Sequence, residues 1–147
     1  MQIRKDIRWK WTDLPLDKNT IEQTEKILNV NFPNDYVKTI LNYNGGYPSI
    51  KYFNCGIKKD LVFDSLLNLK ADGDDVSLVE TYNNIKDRLP NHIVPFASDP
   101  FGNFICFNFN DKPATVCFWD HEIAFSDVDK SITRLTSSFS EFLDLLH

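Results

Sequence analysis

No apolar run in this 147-residue chain approaches the roughly 18 residues that a membrane-spanning helix needs. The opening MQIRKDIRWKW also lacks the continuous apolar core of a secretory leader, so the expectation is an unexported chain without a membrane partner. Cysteine is scarce: Cys55, Cys106 and Cys117 form an odd, widely spaced set with no CxxC pair. This excludes a disulfide framework and close-spaced zinc motifs, and it fits a reduced, cytoplasmic setting. There are only five glycines, and neither Asn44–Gly46 nor Phe101–Asn103 has the spacing of a phosphate-binding loop. No cofactor or metal is expected. Basic residues are in deficit, 16 against 21 acidic, which argues against direct nucleic-acid binding. Residues 1–18 carry a net +2, residues 19–98 a net −2 and residues 99–147 a net −5, so the acidic character lies in the C-terminal third. Repeats, linkers and low-complexity tracts are also missing, and residues 1–147 are expected to form one domain.

What the chain has in abundance is aromatic residues: 12 Phe, 5 Tyr and 3 Trp. They concentrate in Ile93–Glu122, IVPFASDPFGNFICFNFNDKPATVCFWDHE. In 104–109, Phe104 and Cys106 share one parity, while Ile105, Phe107 and Phe109 share the other. In 115–121, Cys117 and Trp119 alternate with Val116 and Phe118. Neighbouring side chains on a strand point to opposite faces, so both runs need cover on both sides. Asn110–Ala114 suits the connection between them. The expectation is an α+β fold: an antiparallel or mixed twisted sheet built on this hairpin, with flanking helices.

Ahead of the hairpin, Trp9 and Trp11 share a parity, and a short strand would bury both. Thr20 and Gln23 form a candidate capping box for a helix near 20–29, with Ile21, Thr24 and Leu28 inward and Ile27 beside them. Pro33 suits the first position of a helix over 34–43, whose inner face carries Tyr36, Ile40 and Tyr43, joined by Val37 and Leu41. Asn44–Gly46 stops it. Residues 50–69 hold short strand-like runs, although 61–69 also fits a helical turn. Ala71–Asp75 reads as an acidic loop. Ser77 and Glu80 cap a helix over 77–88 with Val79, Tyr82, Ile85 and Leu89 buried. Residues 122–130 are polar and acidic, and Ile132 and Leu135 belong to a strand or a bend. Ser138 and Glu141 cap a last helix, 138–146, whose Phe139, Phe142, Leu143 and Leu146 fall on one face.

Asp120, His121 and Glu122 invite a catalytic reading, but neighbours on a strand face apart, so Asp120 cannot simply orient His121. A thiol–imidazole pair of His121 with Cys106 or Cys117 rests on residue type alone. Asp72, Asp74 and Asp75 lack the rest of a calcium loop. No catalytic, cofactor-binding or metal residues are assigned, and the chain does not read as an enzyme. Tyr47, Tyr52, Phe53, Phe101 and Phe125 lie at expected loops or strand ends, where aromatics serve either as core or as partner anchors.

PFASDPFGNFICFNF (95–109) followed by VCFWDHE (116–122) resembles the core signature of the SUKH superfamily. EKILNVNFPNDY (25–36) with Asn44–Gly46 is similar to the N-terminal helical motif of the same family. The resemblance covers about residues 19–146 and leaves 1–18 as an N-terminal arm outside it. It implies a non-enzymatic immunity protein that binds and neutralises a cognate bacterial toxin encoded nearby, with nucleases frequent among such toxins. The alternative it implies is a regulatory scaffold of the cell-wall-assembly type. Those members carry further disordered regions around the domain, and the minimal length of this chain favours immunity. Since nuclease sites are basic, the expected toxin-facing residues are Asp72, Asp74, Asp75, Asp120, Glu122, Asp127 and Asp129. Tyr47, Tyr52, Phe101 and Phe125 are the candidate aromatic anchors. The competing reading of the acidic set is a solvated face that maintains solubility.

Overall fold

The computed structural model describes residues 2–70 and 76–147. It begins with β1 (Trp9–Lys10), α1 (Lys18–Leu28), α2 (Asn34–Tyr43), β2 (Tyr47–Pro48), β3 (Tyr52–Cys55), β4 (Lys58–Val62) and β5 (Ser65–Leu66). It continues with α3 (Leu78–Ile85), β6 (Ile93–Ser98), β7 (Phe104–Asn108), β8 (Thr115–Trp119), α4 (His121–Ser126), β9 (Ile132–Thr136) and α5 (Phe139–Asp144). β5 to β9 form one five-stranded sheet in chain order, antiparallel throughout, so the mixed alternative falls away. β1 with β2 and β3 with β4 make two small ribbons. Residues 61–69 therefore hold the end of β4 and all of β5 rather than a helical turn.

The period of two in β7 and β8 divides the interior. Ile105 lies opposite Phe118 and Phe107 opposite Val116, and these four belong to the larger core with Tyr36, Phe53, Phe63, Phe96, Phe139 and Phe142. Phe104 lies opposite Trp119 and Cys106 opposite Cys117, on the other face. There Cys106, Cys117 and Trp119 pack with Ile85, Leu89, Ile93 and Ala124, and Phe104 lies against them. Both faces are covered, as the two-sided runs require, but unequally. Helices α1, α2 and α5 with the β3–β4 ribbon cover the larger core, while the end of α3 and α4 cover the smaller. In β6 the register shifts between Pro95 and Ala97. A bulge is where a central strand tolerates a residue that has no N–H to donate.

The helices start where side-chain oxygens meet free backbone N–H groups. Ser77 and Ser138 cap α3 and α5 as expected, each accepting from the N–H three residues on. For α1 the expected cap is wrong: Asp17, extended at φ −94°, accepts from Thr20 N–H, and Thr20 lies inside the helix. Pro33 is likewise the residue before α2, not its first. The buried face of α3 is Leu78, Thr81 and Ile85, with Val79 and Tyr82 half-buried. Tyr43 is exposed but stacks on Trp9 at 5.9 Å. β8 ends at Trp119, because Asp120 caps α4, a helix inside the segment read as merely polar. Trp11 is not buried beside Trp9: at φ +52° the chain leaves the strand and turns the indole out, 76% exposed, edge-on to Tyr47. Phe53 is core, with no exposed surface.

The N-terminal arm is fastened across this body. Arg4 donates to the carbonyls of Leu143 (2.9 Å) and Leu146 (2.8 Å) at the C-terminal end of α5. α2 and α5 are locked by Asp35, whose Oδ2 accepts from Ser140 N–H and Oγ–H.

Two core substitutions separate packing from polarity. Phe142 is fully buried, with ring centroids of Phe53 at 5.4 Å, Phe63 at 5.7 Å and Phe96 at 6.2 Å. Phe142→Ala is expected to cost about 3–5 kcal/mol in denaturant unfolding, and an unchanged midpoint would show that α5 does not dock. Tyr36 is also fully buried, ringed by Phe32, Phe96, Phe107 and Phe139, and its hydroxyl has no hydrogen-bond partner among the described residues. Tyr36→Phe should therefore raise stability by about 1 kcal/mol, and a comparable loss would contradict this account of the site.

Candidate functional site

The residues singled out by chemistry meet at one end of the sheet, where the β6–β7 turn and α4 lie side by side. Asp99, almost fully buried, organises the turn. Its Oδ1 accepts from the Phe101 and Asn103 N–H groups, and its Oδ2 accepts from the Asn103 side-chain amide, all at 2.8 Å. Gly102 sits at φ +89°, where a side chain would be strained. A Cβ there would also reach 3.4 Å from the His121 ring. Because its amide N–H is committed to Asp99, Asn103 presents its oxygen to His121. It accepts from the His121 backbone N–H (3.0 Å) and from ring Nδ1 (2.7 Å). That carboxamide oxygen can only accept, so Nδ1 is the donor of this hydrogen bond. The turn thereby holds Phe101 at its tip, 70% exposed.

The first turn of α4 is fixed by Asp120. Its Oδ1 accepts from Glu122 and Ile123 N–H, and its Oδ2 pairs with Lys58 Nζ at 2.7 Å. Partial burial pushes the Asp120 carboxyl up, but the Lys58 ammonium and the two amide donors outweigh it, leaving its pKa below the ordinary value. One helical turn on from His121, Phe125 is 74% exposed. The Arg88 guanidinium lies over the Phe125 ring at 5.1 Å and over Trp119 at 5.7 Å, while the Trp119 indole N–H donates to the Arg88 carbonyl at 3.0 Å. Beyond α4, Asp127 Oδ1 accepts from the Asp129 and Lys130 N–H groups, and its carboxylate lies 3.9 Å from Lys130 Nζ. Glu122 and Asp129 are exposed.

Of the expected toxin-facing residues, the structure thus brings together Asp120, Glu122, Asp127, Asp129, Phe101 and Phe125. Asp72, Asp74 and Asp75 lie outside the described residues. Tyr47 and Tyr52 are elsewhere: Tyr47 is half-buried against Trp11, and Tyr52, 41% exposed, sits in β3. Arg88, Asn103 and Lys58 were not anticipated. Arg88 and Lys58 act on ring or carboxylate partners far away in sequence, which no local pattern signals. Asn103 follows Gly102 in the turn between β6 and β7.

His121 is oriented by a carboxamide, and Cys106 and Cys117 are buried within the sheet. Burial in apolar surroundings pushes the Cys106 thiol well above its ordinary pKa, the opposite of an activated nucleophile. Among the described residues no group of three or more His, Cys, Asp or Glu side chains is placed to hold a metal ion. A concavity of about 250 Å³ under the N-terminal arm, lined by Asp13, Asp17, Thr20, Asn44, Asn68 and Lys70 among others, contains neither histidine nor cysteine.

The Lys58–Asp120 pair gives a pH prediction. A carboxyl whose folded pKa is depressed adds stability above its unfolded pKa, about 3.9, and that stability is lost as pH falls through the lower folded value. In Lys58→Met the Asp120 carboxyl titration, followed by NMR, should move upward toward the ordinary range. An unmoved titration would remove the ion pair from the account.

The chain is similar over 144 residues to an SPbeta prophage-derived protein, YokK, of Bacillus subtilis (strain 168). The two are 30% identical, and the match covers 85% of this chain and 73% of the relative. Residues 18–143 match the family model SUKH_6, described as SMI1-KNR4 cell-wall, which starts where the N-terminal arm ends. The motif residues of that span are those that close the fold: Glu25 accepts the Phe32 N–H at 2.7 Å, Asp35 locks α5, and Asp99 and Asn103 pin the turn. On that match, the chain belongs to the SUKH_6 branch of the SMI1-KNR4 family.

Proposed function

We propose that this protein is an immunity protein, which binds a cognate toxin encoded beside it in a bacterial genome and neutralises it in the cytoplasm without catalysing a reaction. The observation that carries the reading is family membership across nearly the whole fold, since the family supports an immunity-type role. Three buried free thiols fit a reducing compartment, and no helix among the described residues is long and apolar enough to cross a membrane. The toxin class that fits the charge is a nuclease, whose phosphate-binding cleft is basic. On this reading Asp120, Glu122, Asp127 and Asp129 face that cleft, and the protein makes no direct nucleic-acid contact.

Exposed opposite charges act mainly on encounter. Co-expression with the neighbouring-gene toxin should protect cells, and its absence should not. Glu122→Lys with Asp129→Lys should slow association by about tenfold at low salt, with the difference shrinking as salt shortens the Debye length to about 8 Å and below. Cells killed equally with and without the protein would defeat the immunity reading. Unchanged association rates in protected cells would defeat only the acidic interface.

A further inference from the structure

Long-range charge accounts for encounter but not for a long-lived complex, which needs desolvated anchors. We propose that Phe101 and Phe125 are those anchors: they insert into an apolar recess beside the basic cleft of the toxin, with the acidic residues of α4 and its flanks as the rim. This deepens the immunity reading and rests on it.

Each ring is exposed, on backbone that is already held in place. Phe101 is 70% exposed at the tip of a turn tied to the Asp99 carboxylate by two backbone N–H groups and by the Asn103 side-chain amide. Phe125 is 74% exposed, yet its face is covered by Arg88, which is itself fixed between that ring and Trp119. His121 lies between them, packed on Gly102 next to Phe101 and one helical turn before Phe125 on the same face of α4. Rings braced in this way lose little conformational freedom when they dock. The free protein leaves two large apolar rings in water on well-fastened backbone, which the core does not require.

Charge separates this patch from two of the other exposed apolar residues, Ile57 and Trp11. Ile57, 97% exposed at the β3–β4 tip, is followed by Lys58 and Lys59, and Trp11, 76% exposed, follows Lys10. Those surroundings would repel a basic partner. Around Phe101 and Phe125, Asp120 and Asp127 are paired with Lys58 and Lys130, while Asp87, Glu122 and Asp129 make no ion pair among the described residues. Arg88 and Lys86, which flank Asp87, are the opposing charges, and the Arg88 guanidinium sits over the rings. The excess is acidic, which fits a basic protein.

The test uses the full chain and the toxin domain encoded beside it, in a catalytically inactive form, with surface plasmon resonance reading both rates. Phe125→Ala and Phe101→Ala should each raise the dissociation rate by about tenfold or more, leave the association rate within about threefold, and leave the thermal midpoint unchanged. Trp11→Ala and Tyr52→Ala should leave dissociation as in the wild type. A double Phe101→Ala, Phe125→Ala variant that dissociates at the wild-type rate would overturn the anchor assignment while immunity stands. So would a selective effect of Trp11→Ala or Tyr52→Ala. A wild-type protein that neither binds nor protects would overturn the immunity reading and this inference together.

Discussion

Everything in this molecule is arranged around a hairpin that is apolar on both faces. β7 and β8 present Ile105, Phe107, Val116 and Phe118 to one side and Phe104, Cys106, Cys117 and Trp119 to the other. Leaving either side in water would forgo the burial of several large side chains, each worth roughly 1.5–3 kcal/mol. The chain meets this with two unequal layers. The larger has three helices and a ribbon, and aromatic rings meet there at centroid distances from 4.3 Å upward. The smaller has only the end of α3, the short turn after it and α4.

That inequality decides which aromatic side chains stay exposed. A thick layer buries its aromatics, as with Phe53 and Phe142. A thin layer leaves some at the margin, as with Phe125 over Arg88 and Phe101 on the adjoining turn. The buried carboxylate of Asp99 holds the turn, and the Asn103 carboxamide ties it to the start of α4. The smaller layer is thus fastened by polar contacts where it lacks apolar depth. It is also where acidic residues of the C-terminal third gather.

The two-faced hairpin, α2, the Ser77 and Ser138 caps and the inward stripe of α5 were legible because each is written in local periodicity or capping chemistry. What local pattern could not decide was settled by residues distant in sequence. Asp17 rather than Thr20 caps α1, since any oxygen just ahead of the first turn can serve and only backbone conformation chooses among them. α4 was missed because six residues opened by Asp120 show little apolar repeat. Trp11 was misplaced because parity says nothing about where a strand stops. In the site, the acidic residues and Phe101 and Phe125 were visible as residue types. Their assembly with Arg88, Asn103 and Lys58 was not, because it depends on pairings across 18 to 62 residues of chain.

The central claim is that the thin side of the sheet is the partner-facing side. Hydrogen–deuterium exchange of the protein, free and bound to the neighbouring-gene toxin, tests it most directly. The account predicts new protection in 99–103 and 121–129, with β1, β2 and the β3–β4 tip exchanging as in the free protein. Protection confined to the N-terminal arm and the β3–β4 ribbon, with 99–103 and 121–129 unchanged, would contradict it.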